Sequence, residues 1–321
     1  MKRMLYRVST AILSVYFLSI SVFAAGELIP VGEVIGLELS SGTVTVAAYD
    51  DTLTAAREAG LKIGDEILAI DGRQITCAED VRQALNHSDG SITLLVSRDG
   101  KQSSLQLEPA ISPEGPKMGV YLRQGITGLG TVTFYDPATG QFGTLGHGVN
   151  DGSGDLLSMA SGSAYPAEVV SIQPGKKGQP GQLKGALEAS QHQGKLMRNT
   201  SRGVFGIADR PWQGEALPVA SWDEIHTGEA TIRSTVGSSG PRDYSAEILK
   251  IYPKDRNDGR NLLLRVTDPE LLAATGGIVQ GMSGSPIIQD GKLVGAVTHV
   301  LVNQPDTGYG IFIENMLDAA A

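Results

Sequence analysis

Residues 281–286 read Gly281-Met282-Ser283-Gly284-Ser285-Pro286, and the apolar pair Ile287-Ile288 follows them directly. A serine between glycines can lie on a tight turn with its hydroxyl exposed. Glycine at position 281 permits the backbone angles that would point the N–H groups of Gly281 and Ser283 at a developing oxyanion. A strand directly after the turn would hold it rigid. This stretch therefore predicts a nucleophilic serine presented from a β domain.

Such a serine needs a base within hydrogen-bond reach. His147 is the leading candidate, because it closes the predicted strand 141–145 and is flanked by Gly146 and Gly148. His299 is the rival, but its β-branched strand, 296–301, is typical of a buried and hydrogen-bonded core histidine. Ser285 is the alternative to Ser283 as the nucleophile. A base early in the chain and a nucleophile late in it indicate a serine peptidase.

Composition sets the class of protein. The chain has 321 residues, is 41% hydrophobic and contains 41 glycines and 15 prolines, which predicts about two mainly β domains with many turns. Its formal net charge of −9 argues against nucleic acid as a partner. The single cysteine, Cys77, excludes an internal disulfide, and neither a metal site nor a cofactor is expected.

The amino terminus has the pattern of an export segment. Lys2, Arg3 and Arg7 precede an apolar run over residues 11–25. Residues 1–25 are therefore predicted to be either a cleaved signal peptide or an uncleaved membrane anchor. In the second case, residues 8–26 are long enough to associate the protein with a bilayer.

Residues 31–108 form the first predicted unit. The stretch from Gly60 to Gly72, GLKIGDEILAIDG, has punctuating glycines, an apolar strand and a tight Asp-Gly turn. This stretch closely resembles the signature of a PDZ domain. The remaining predicted elements of the unit are strands at 34–39, 43–48, 92–98 and 103–107 and helices at 53–59 and 78–87.

The PDZ resemblance implies a groove in which a peptide adds as an extra strand. In this interpretation the loop formed by Glu33, Val34, Ile35 and Gly36 caps the terminal carboxylate of the peptide with backbone N–H groups. The groove would hold a peptide segment, which could be the protein's own amino-terminal region. The alternative is a small α+β domain without a ligand.

Residues 109–116 are rich in proline and are predicted to be a stiff, extended linker. Residues 117–321 form the second unit, in which short predicted strands alternate with turns. The economical architecture for such a pattern is an all-β double barrel. The predicted fold is thus mainly β, with an α+β PDZ domain followed by the double barrel.

Several longer motifs of the second unit resemble the stage IV sporulation protein B peptidases. They are the segments 143–148, 267–272, 275–287, 295–300 and 308–314. The resemblance covers both units in the same order, PDZ and then peptidase, behind an export segment. It implies a chymotrypsin-like serine endopeptidase of spore-forming bacteria.

The same resemblance implies a role and a location. Such proteins are exported across the forespore inner membrane, cut themselves, and act between the forespore and mother-cell membranes. Their protein substrate is a membrane-bound regulator of an intramembrane metalloprotease. Its cleavage leads to activation of a late mother-cell sigma factor.

Residue by residue, the resemblance places the family's catalytic histidine on His147, its serine on Ser283 and an aspartate on Asp268. A carboxylate is needed to orient the imidazole and to stabilise the imidazolium. Asp268 could equally be the N-cap of a helix that begins at Pro269. Asp209 is an alternative candidate for this carboxylate, supported by its position along the chain and by no motif.

Two other functions fit the sequence. One is a PDZ scaffold whose peptidase-like domain is catalytically degenerate. The other is a quality-control protease with a PDZ domain, but such proteins usually place the protease before the PDZ domain, which is the reverse of the order here.

Overall fold

Antiparallel strands dominate the computed structural model, which describes residues 26–113, 115–152, 154–256 and 258–321. The predicted export segment, residues 1–25, lies outside the described residues. Among the helices of the described ranges, none is both long and apolar enough to cross a membrane.

The elements are named here in chain order. The strands are β1 (Glu27–Pro30), β2 (Val34–Tyr49), β3 (Glu66–Ile70), β4 (Arg73–Gln74), β5 (Ile92–Arg98), β6 (Lys101–Leu107), β7 (Ala110–Ser112), β8 (Gly115–Lys117), β9 (Val120–Tyr135), β10 (Gln141–Thr144), β11 (Ser161–Gln173), β12 (Gln182–Leu187), β13 (Gly194–Thr200), β14 (Gly203–Ala208), β15 (Leu217–Pro218), β16 (Gly228–Ser234), β17 (Arg242–Ile251), β18 (Leu262–Val266), β19 (Pro286–Gln289), β20 (Lys292–Leu301) and β21 (Gln304–Phe312). The helices are α1 (Ala55–Glu58), α2 (Ala78–Asn86), α3 (Pro269–Thr275) and α4 (Ile313–Ala320).

Six strands close the first barrel. The pairings run β2–β9–β10–β14–β13–β11 and return from β11 to β2. Its interior holds large apolar side chains such as Phe142, Val132 and Leu196, each almost fully buried. Burying a side chain of this size contributes about 2 kcal/mol, so the ring of strands encloses a stable core.

The second barrel is also closed, in the order β16-β17-β18-β21-β20-β19. Its alternating strand residues point Ile232, Leu262 and Val297 inward, and all three are fully buried. The predicted mainly β fold with two barrels is confirmed.

A third apolar cluster joins the barrels. Phe134 and Phe205 from the first barrel meet Leu293 and Ile311 from the second, and Met316 of α4 closes the contact. Each of these five side chains is at most 1% exposed to solvent. This packing fixes the relative position of the two barrels, and with it the ends of β10 and β20.

The PDZ unit is inserted into the first barrel. β2 and β9 leave the barrel together as paired strands, and β3, β5 and β6 extend the sheet from the far half of β2. α2 covers a separate apolar core that includes Val81, Ile67 and Leu94. Because two strands run through both units, the barrel and the PDZ unit share one sheet.

This arrangement differs from the predicted boundaries at 31–108, 109–116 and 117–321. The segments 34–39 and 43–48, predicted as two strands, form the single strand β2. The pairing of β2 with β9 continues before and after a register shift between Ser40 and Thr45. Residues 110–112 and 115–117, which overlap the segment 109–116 predicted as an extended linker, form the hairpin β7–β8. The chain therefore enters the barrel, builds the PDZ unit, and returns to the barrel.

The PDZ unit contains an ion pair whose carboxylate is buried and whose guanidinium, on Arg98, is partly exposed. The fully buried Asp65 accepts two hydrogen bonds of 2.6 Å from Arg98 and one of 2.8 Å from the N–H of Lys62. Burial alone would raise the pKa of Asp65, but these hydrogen bonds outweigh it and hold the pKa below its usual range. The contribution of Asp65 to stability is therefore present at neutral pH and is lost as the pH falls through its lowered pKa.

Replacing Asp65 by alanine should lower the free energy of unfolding by about 2 kcal/mol, because it removes the acceptor of the half-buried Arg98 guanidinium and of the Lys62 N–H. Urea unfolding of the full chain measures this loss. Glu79→Ala is the control: it breaks the exposed pair with Arg82 and should leave stability unchanged. An Asp65 variant as stable as the Glu79 variant would contradict the argument.

Candidate active site

His147 projects from a strained turn. β10 ends at Thr144, and the next two residues, Leu145 and Gly146, have φ of 70° and 69°. A leucine in this left-handed region costs about 1–2 kcal/mol. The strain is offset by packing, since the buried Leu145 side chain fills the space over Gly130, where a Cβ would lie 2.3 Å from Leu145 Cδ2. The turn directs the imidazole toward the gap between the barrels.

The imidazole of His147 is half-buried, and its Nδ1 lies 2.9 Å from the carbonyl oxygen of Gly148. A carbonyl can only accept, so Nδ1 carries the proton and the neutral ring presents the lone pair of Nε2. Burial lowers the pKa of His147 and outweighs the opposing effect of the Gly148 hydrogen bond. The ring is thus held in the form that a general base requires.

Ser283 lies on a turn framed by two glycines with positive φ, Gly281 at 100° and Gly284 at 97°. Its Oγ donates a 2.8 Å hydrogen bond to the carbonyl of Thr298. Gly281 and Ser283 are both partly exposed, and within the described ranges their N–H groups have no acceptor. Both donors are therefore free to meet an oxyanion.

Thr131 of β9 connects the two turns. Its N–H donates to Ser283 O at 2.9 Å, and its hydroxyl donates to Gly281 O at 2.7 Å. Its carbonyl accepts the hydroxyl of Thr144 at 2.6 Å, just before the His147 turn. Gly284 lies so close that a Cβ would be 2.0 Å from the same carbonyl. His147 and Ser283 are therefore carried by segments in direct contact.

Nothing in the sequence around Thr131 marks this role, because a threonine in a strand is ordinary. Its importance depends on the pairing of β9 with β10 and on the packing of the serine turn against both. The role of Thr131 could have been found from predicted contacts between distant strands, but not from any local sequence pattern.

The second histidine is also at this site. The rings of His147 and His299 are 5.3 Å apart, and Thr298, which accepts from Ser283, directly precedes His299. Burial and the neighbouring His147 lower the pKa of His299 to about 4. The expectation of a hydrogen-bonded core histidine does not fit: His299 is half-buried, and its buried Nδ1 has no partner among the described residues.

The two candidate aspartates lie in other contacts. Asp268 caps α3, accepting from the N–H groups of Glu270 and Leu271 at 3.0 and 2.9 Å. Asp209 pairs with Nδ1 of His192 at the surface. In the part of the chain that the structure describes, neither carboxylate is hydrogen bonded to His147. The alternative nucleophile Ser285 is fully buried and donates to the hydroxyl of Ser234.

The predicted carboxylate-binding loop of the PDZ unit needs correction. Val34, Ile35 and Gly36 lie within β2, where Ile35 and Gly36 pair with β9 on one side and β11 on the other. Their N–H and C=O groups are engaged in the sheet, so this segment cannot cap a peptide.

A different segment of the PDZ unit is open. Residues 120–124 of β9 are here called the open edge: residues 120–123 pair with β2 on one side, and no other described strand pairs with the segment. Helix α2 lies beside them, and its Ala78 N–H donates to Gln124 Oε1 at 2.9 Å. The open edge also carries Tyr121, whose side chain is 62% exposed. The open edge lies on the strand that returns from the PDZ insertion to the barrel. It is far along the chain from the signature at residues 60–72, so the sequence pattern did not reveal it.

Curated relatives match only parts of the chain. A putative zinc metalloprotease of Agrobacterium fabrum is 36% identical over 90 residues, covering 28% of this chain and 23% of the relative. A probable periplasmic serine endoprotease, DegP-like, of Pseudomonas fluorescens is 28% identical over 152 residues, covering 44% of this chain and 30% of the relative. The chain thus spans less than a third of the length of these relatives.

Solved structures of proteases resemble this one at low sequence identity. The Rv3671c protease of M. tuberculosis, in an inactive form, has a TM-score of 0.35 at 13% identity, covering 61% of this chain and 85% of that one. The HtrA-type protease AlgW with a decapeptide has a TM-score of 0.38 at 14% identity, covering 65% and 57%.

Two family models match. The PDZ domain model covers residues 53–98, which include the signature at 60–72 and all of α2 and β5. The model described as SpoIVB peptidase S55 covers residues 114–317, which include His147, Ser283 and every strand of both barrels except β2. With well over half of its length matched, the chain belongs to the SpoIVB peptidase S55 family.

Proposed function

We propose that this protein is a serine endopeptidase in which Ser283 is the nucleophile and His147 the general base. The observation that carries the proposal is the contact between the two glycine turns through Thr131, with the N–H groups of Gly281 and Ser283 open beside them. A nucleophile, a base and oxyanion donors are the parts that acyl transfer needs.

The reaction follows from these positions. Nε2 of His147 takes the proton of Ser283 Oγ as that oxygen attacks the peptide carbonyl. The carbonyl oxygen, now negatively charged, accepts hydrogen bonds from the N–H groups of Gly281 and Ser283. The imidazolium then gives its proton to the leaving amine. Water, activated by His147 in the same way, attacks the acyl-enzyme, and the carboxylic acid product leaves as Ser283 Oγ takes the proton back from the imidazolium.

The lowered pKa of His299 argues against it as the base. A general base works best when its pKa lies near the operating pH. With a pKa of about 4, His299 binds a proton too weakly for that task. His299 is therefore proposed to be a neutral neighbour of the reacting imidazole.

One observation favours a second candidate function, a PDZ binding protein with an inactive peptidase-like domain. The hydroxyl of Ser283 is directed to the Thr298 carbonyl, so it must rotate before it can reach His147. In the proposed enzyme this is a resting state from which substrate binding releases the serine. In the second candidate it is the permanent state.

The wider role is proposed from the family. The protein is exported, cuts itself, and cleaves a membrane-bound regulator of an intramembrane metalloprotease, which triggers activation of a late mother-cell sigma factor. It acts at the forespore inner membrane and in the space between the forespore and mother-cell membranes. Membership of the S55 family supports this role, and the periplasmic relative supports export. If residues 8–26 stay uncleaved, they tether the protein.

The PDZ unit is proposed to bind a peptide along the open edge, beside α2. The peptide would belong to the substrate or to the protein's own amino-terminal region. An unpaired strand edge next to a helix offers main-chain hydrogen bonds to any extended peptide.

A fluorophosphonate probe should label the wild-type chain and fail to label Ser283→Ala, while His147→Ala should slow labelling at least a hundredfold, because serine without its base is a weak nucleophile. Mass spectrometry of the adduct and gel fluorescence measure the result. The labelling rate should stay high as the pH falls and reach half its maximum below pH 6.5, since burial lowers the pKa of His147 and keeps it neutral.

His226→Ala serves as the control for that experiment, because His226 is exposed and paired with Asp290 on the surface. It should label like the wild type at every pH. Equal labelling of Ser283→Ala and wild type would remove Ser283 as the nucleophile, and a wild type that never reacts would favour the inactive binding protein.

The role of Asp268 that the family resemblance implies stays a prediction. Because Asp268 caps α3, we expect Asp268→Ala to lower the free energy of unfolding by about 1 kcal/mol and Asp268→Asn, which can still cap, to change it little. Urea unfolding measures both. Loss of labelling in a stable Asp268→Asn variant would support a direct catalytic role for the carboxylate, whereas full labelling would restrict Asp268 to the cap.

Peptides that bind the PDZ unit should protect backbone amides of the open edge from hydrogen exchange. Amides at 34–36 should show no added protection, because they are already paired within the barrel. Exchange measured by mass spectrometry with a library of carboxyl-terminal peptides tests this. Added protection at 34–36 with none at 120–124 would refute the assignment of the groove.

A further inference from the structure

The hydrogen bond that orients His147 ends on a main-chain carbonyl. Gly148 O accepts from Nδ1 at 2.9 Å, in the position where a carboxylate serves many serine peptidases. This carbonyl belongs to the residue next to His147, so it orients the ring only if its peptide unit is itself fixed. What fixes that peptide unit decides which tautomer the base adopts.

Asn199, near the end of β13, holds that same peptide unit. Its Oδ1 accepts from Val149 N at 2.9 Å, and its Nδ2 donates to Val149 O at 2.8 Å and Leu157 O at 2.9 Å. The N–H of Val149 and the C=O of Gly148 are the two polar groups of one planar, trans peptide. Fixing the direction of the N–H therefore fixes the direction of the C=O, which points the opposite way, toward the imidazole.

Two further features support this linkage. A Cβ on Gly148 would lie 2.7 Å from the carbonyl of Thr200, so the peptide is pressed against the residue next to Asn199. A hydrogen bond to the N–H of a peptide also polarises its C=O and makes it a better acceptor. Asn199 thus both aims and strengthens the acceptor of the His147 proton.

We infer that Asn199 is a positioning residue of the active site, which holds the Gly148–Val149 peptide so that its carbonyl fixes His147 as the Nδ1–H tautomer. The inference rests on the proposed function of His147 as the base. Asn199 acts through the peptide and touches neither the substrate nor the reacting atoms.

The test uses two readouts, of which only one depends on activity. The full chain has five histidines, so ¹⁵N-histidine labelling gives few ring signals, and the signal of His147 is assigned by its loss in His147→Ala. The ¹⁵N shifts report the tautomer directly, and the rate of fluorophosphonate labelling against pH reports function. A wild-type His147 found as the Nε2–H tautomer would overturn the inference even in an active protein.

Asn199→Ala should convert His147 to a mixture of tautomers, slow labelling at least tenfold and move the acid limb of labelling to lower pH. The shift to lower pH is expected because the Gly148 hydrogen bond is the contact that opposes the lowering of the His147 pKa by burial. An Asn199→Ala variant with the wild-type tautomer and pH profile would refute the role.

Asn199→Asp separates positioning from stability. Aspartate keeps the acceptor for Val149 N but loses both donors, so a purely structural role predicts that it behaves like Asn199→Ala. We expect instead that the aspartate variant keeps the Nδ1–H tautomer and labels within threefold of the wild type. If it shows the tautomer mixture of the alanine variant, the N–H contact is not the one that matters.

Gln289 offers a matched control. Its side chain braces another loop by the same pattern, accepting from His226 N and donating to His226 O and Glu229 O at 3.0–3.1 Å. Gln289→Ala should cost similar stability and leave the His147 tautomer and pH profile unchanged. If the proposed peptidase function fails, so that no variant labels, the tautomer readout still decides the role of Asn199.

Discussion

The structure depends on the hydrogen bonds of one threonine at the junction of the two barrels. The backbone and hydroxyl of Thr131 hold the serine turn at Ser283 and Gly281, while its carbonyl holds Thr144 at the base of the histidine turn. These groups are largely buried, so each lost bond would leave an unsatisfied polar group at a cost of about 1–3 kcal/mol. The two turns are therefore positioned by sheet geometry, and they also touch directly, since a Cβ on Gly284 would lie 2.5 Å from the N of Leu145.

The same strand carries both proposed activities. β9 begins at the open edge of the PDZ unit and ends in the first barrel, passing Thr131 on the way. β2 runs beside it through both units, with the register interrupted only between Ser40 and Thr45 and between Val46 and Ala48. Because the PDZ unit is inserted within a barrel hairpin, peptide binding and catalysis are parts of one continuous sheet.

The charge state of the site follows from burial. Two imidazoles lie side by side, and both have lowered pKa values, His147 chiefly through burial and His299 through burial and its neighbour. A neutral pair avoids repulsion between two cations in a poorly solvated gap. In the proposed reaction the imidazolium of His147 is stabilised by the Gly148 carbonyl, a weaker partner than a carboxylate.

Local sequence determined much of this protein. The glycine-framed turns of His147 and Ser283, the PDZ signature at 60–72 and the alternating strands all express short-range backbone and packing preferences. The sequence could not place the PDZ groove or locate Thr131 and Asn199, because their roles depend on which distant strands pair. Only the tertiary structure decided that β2 and β9 enclose the PDZ unit and that Asn199 is hydrogen bonded to the peptide unit facing His147. Long-range pairing of strands selects those contacts, and no local pattern encodes them.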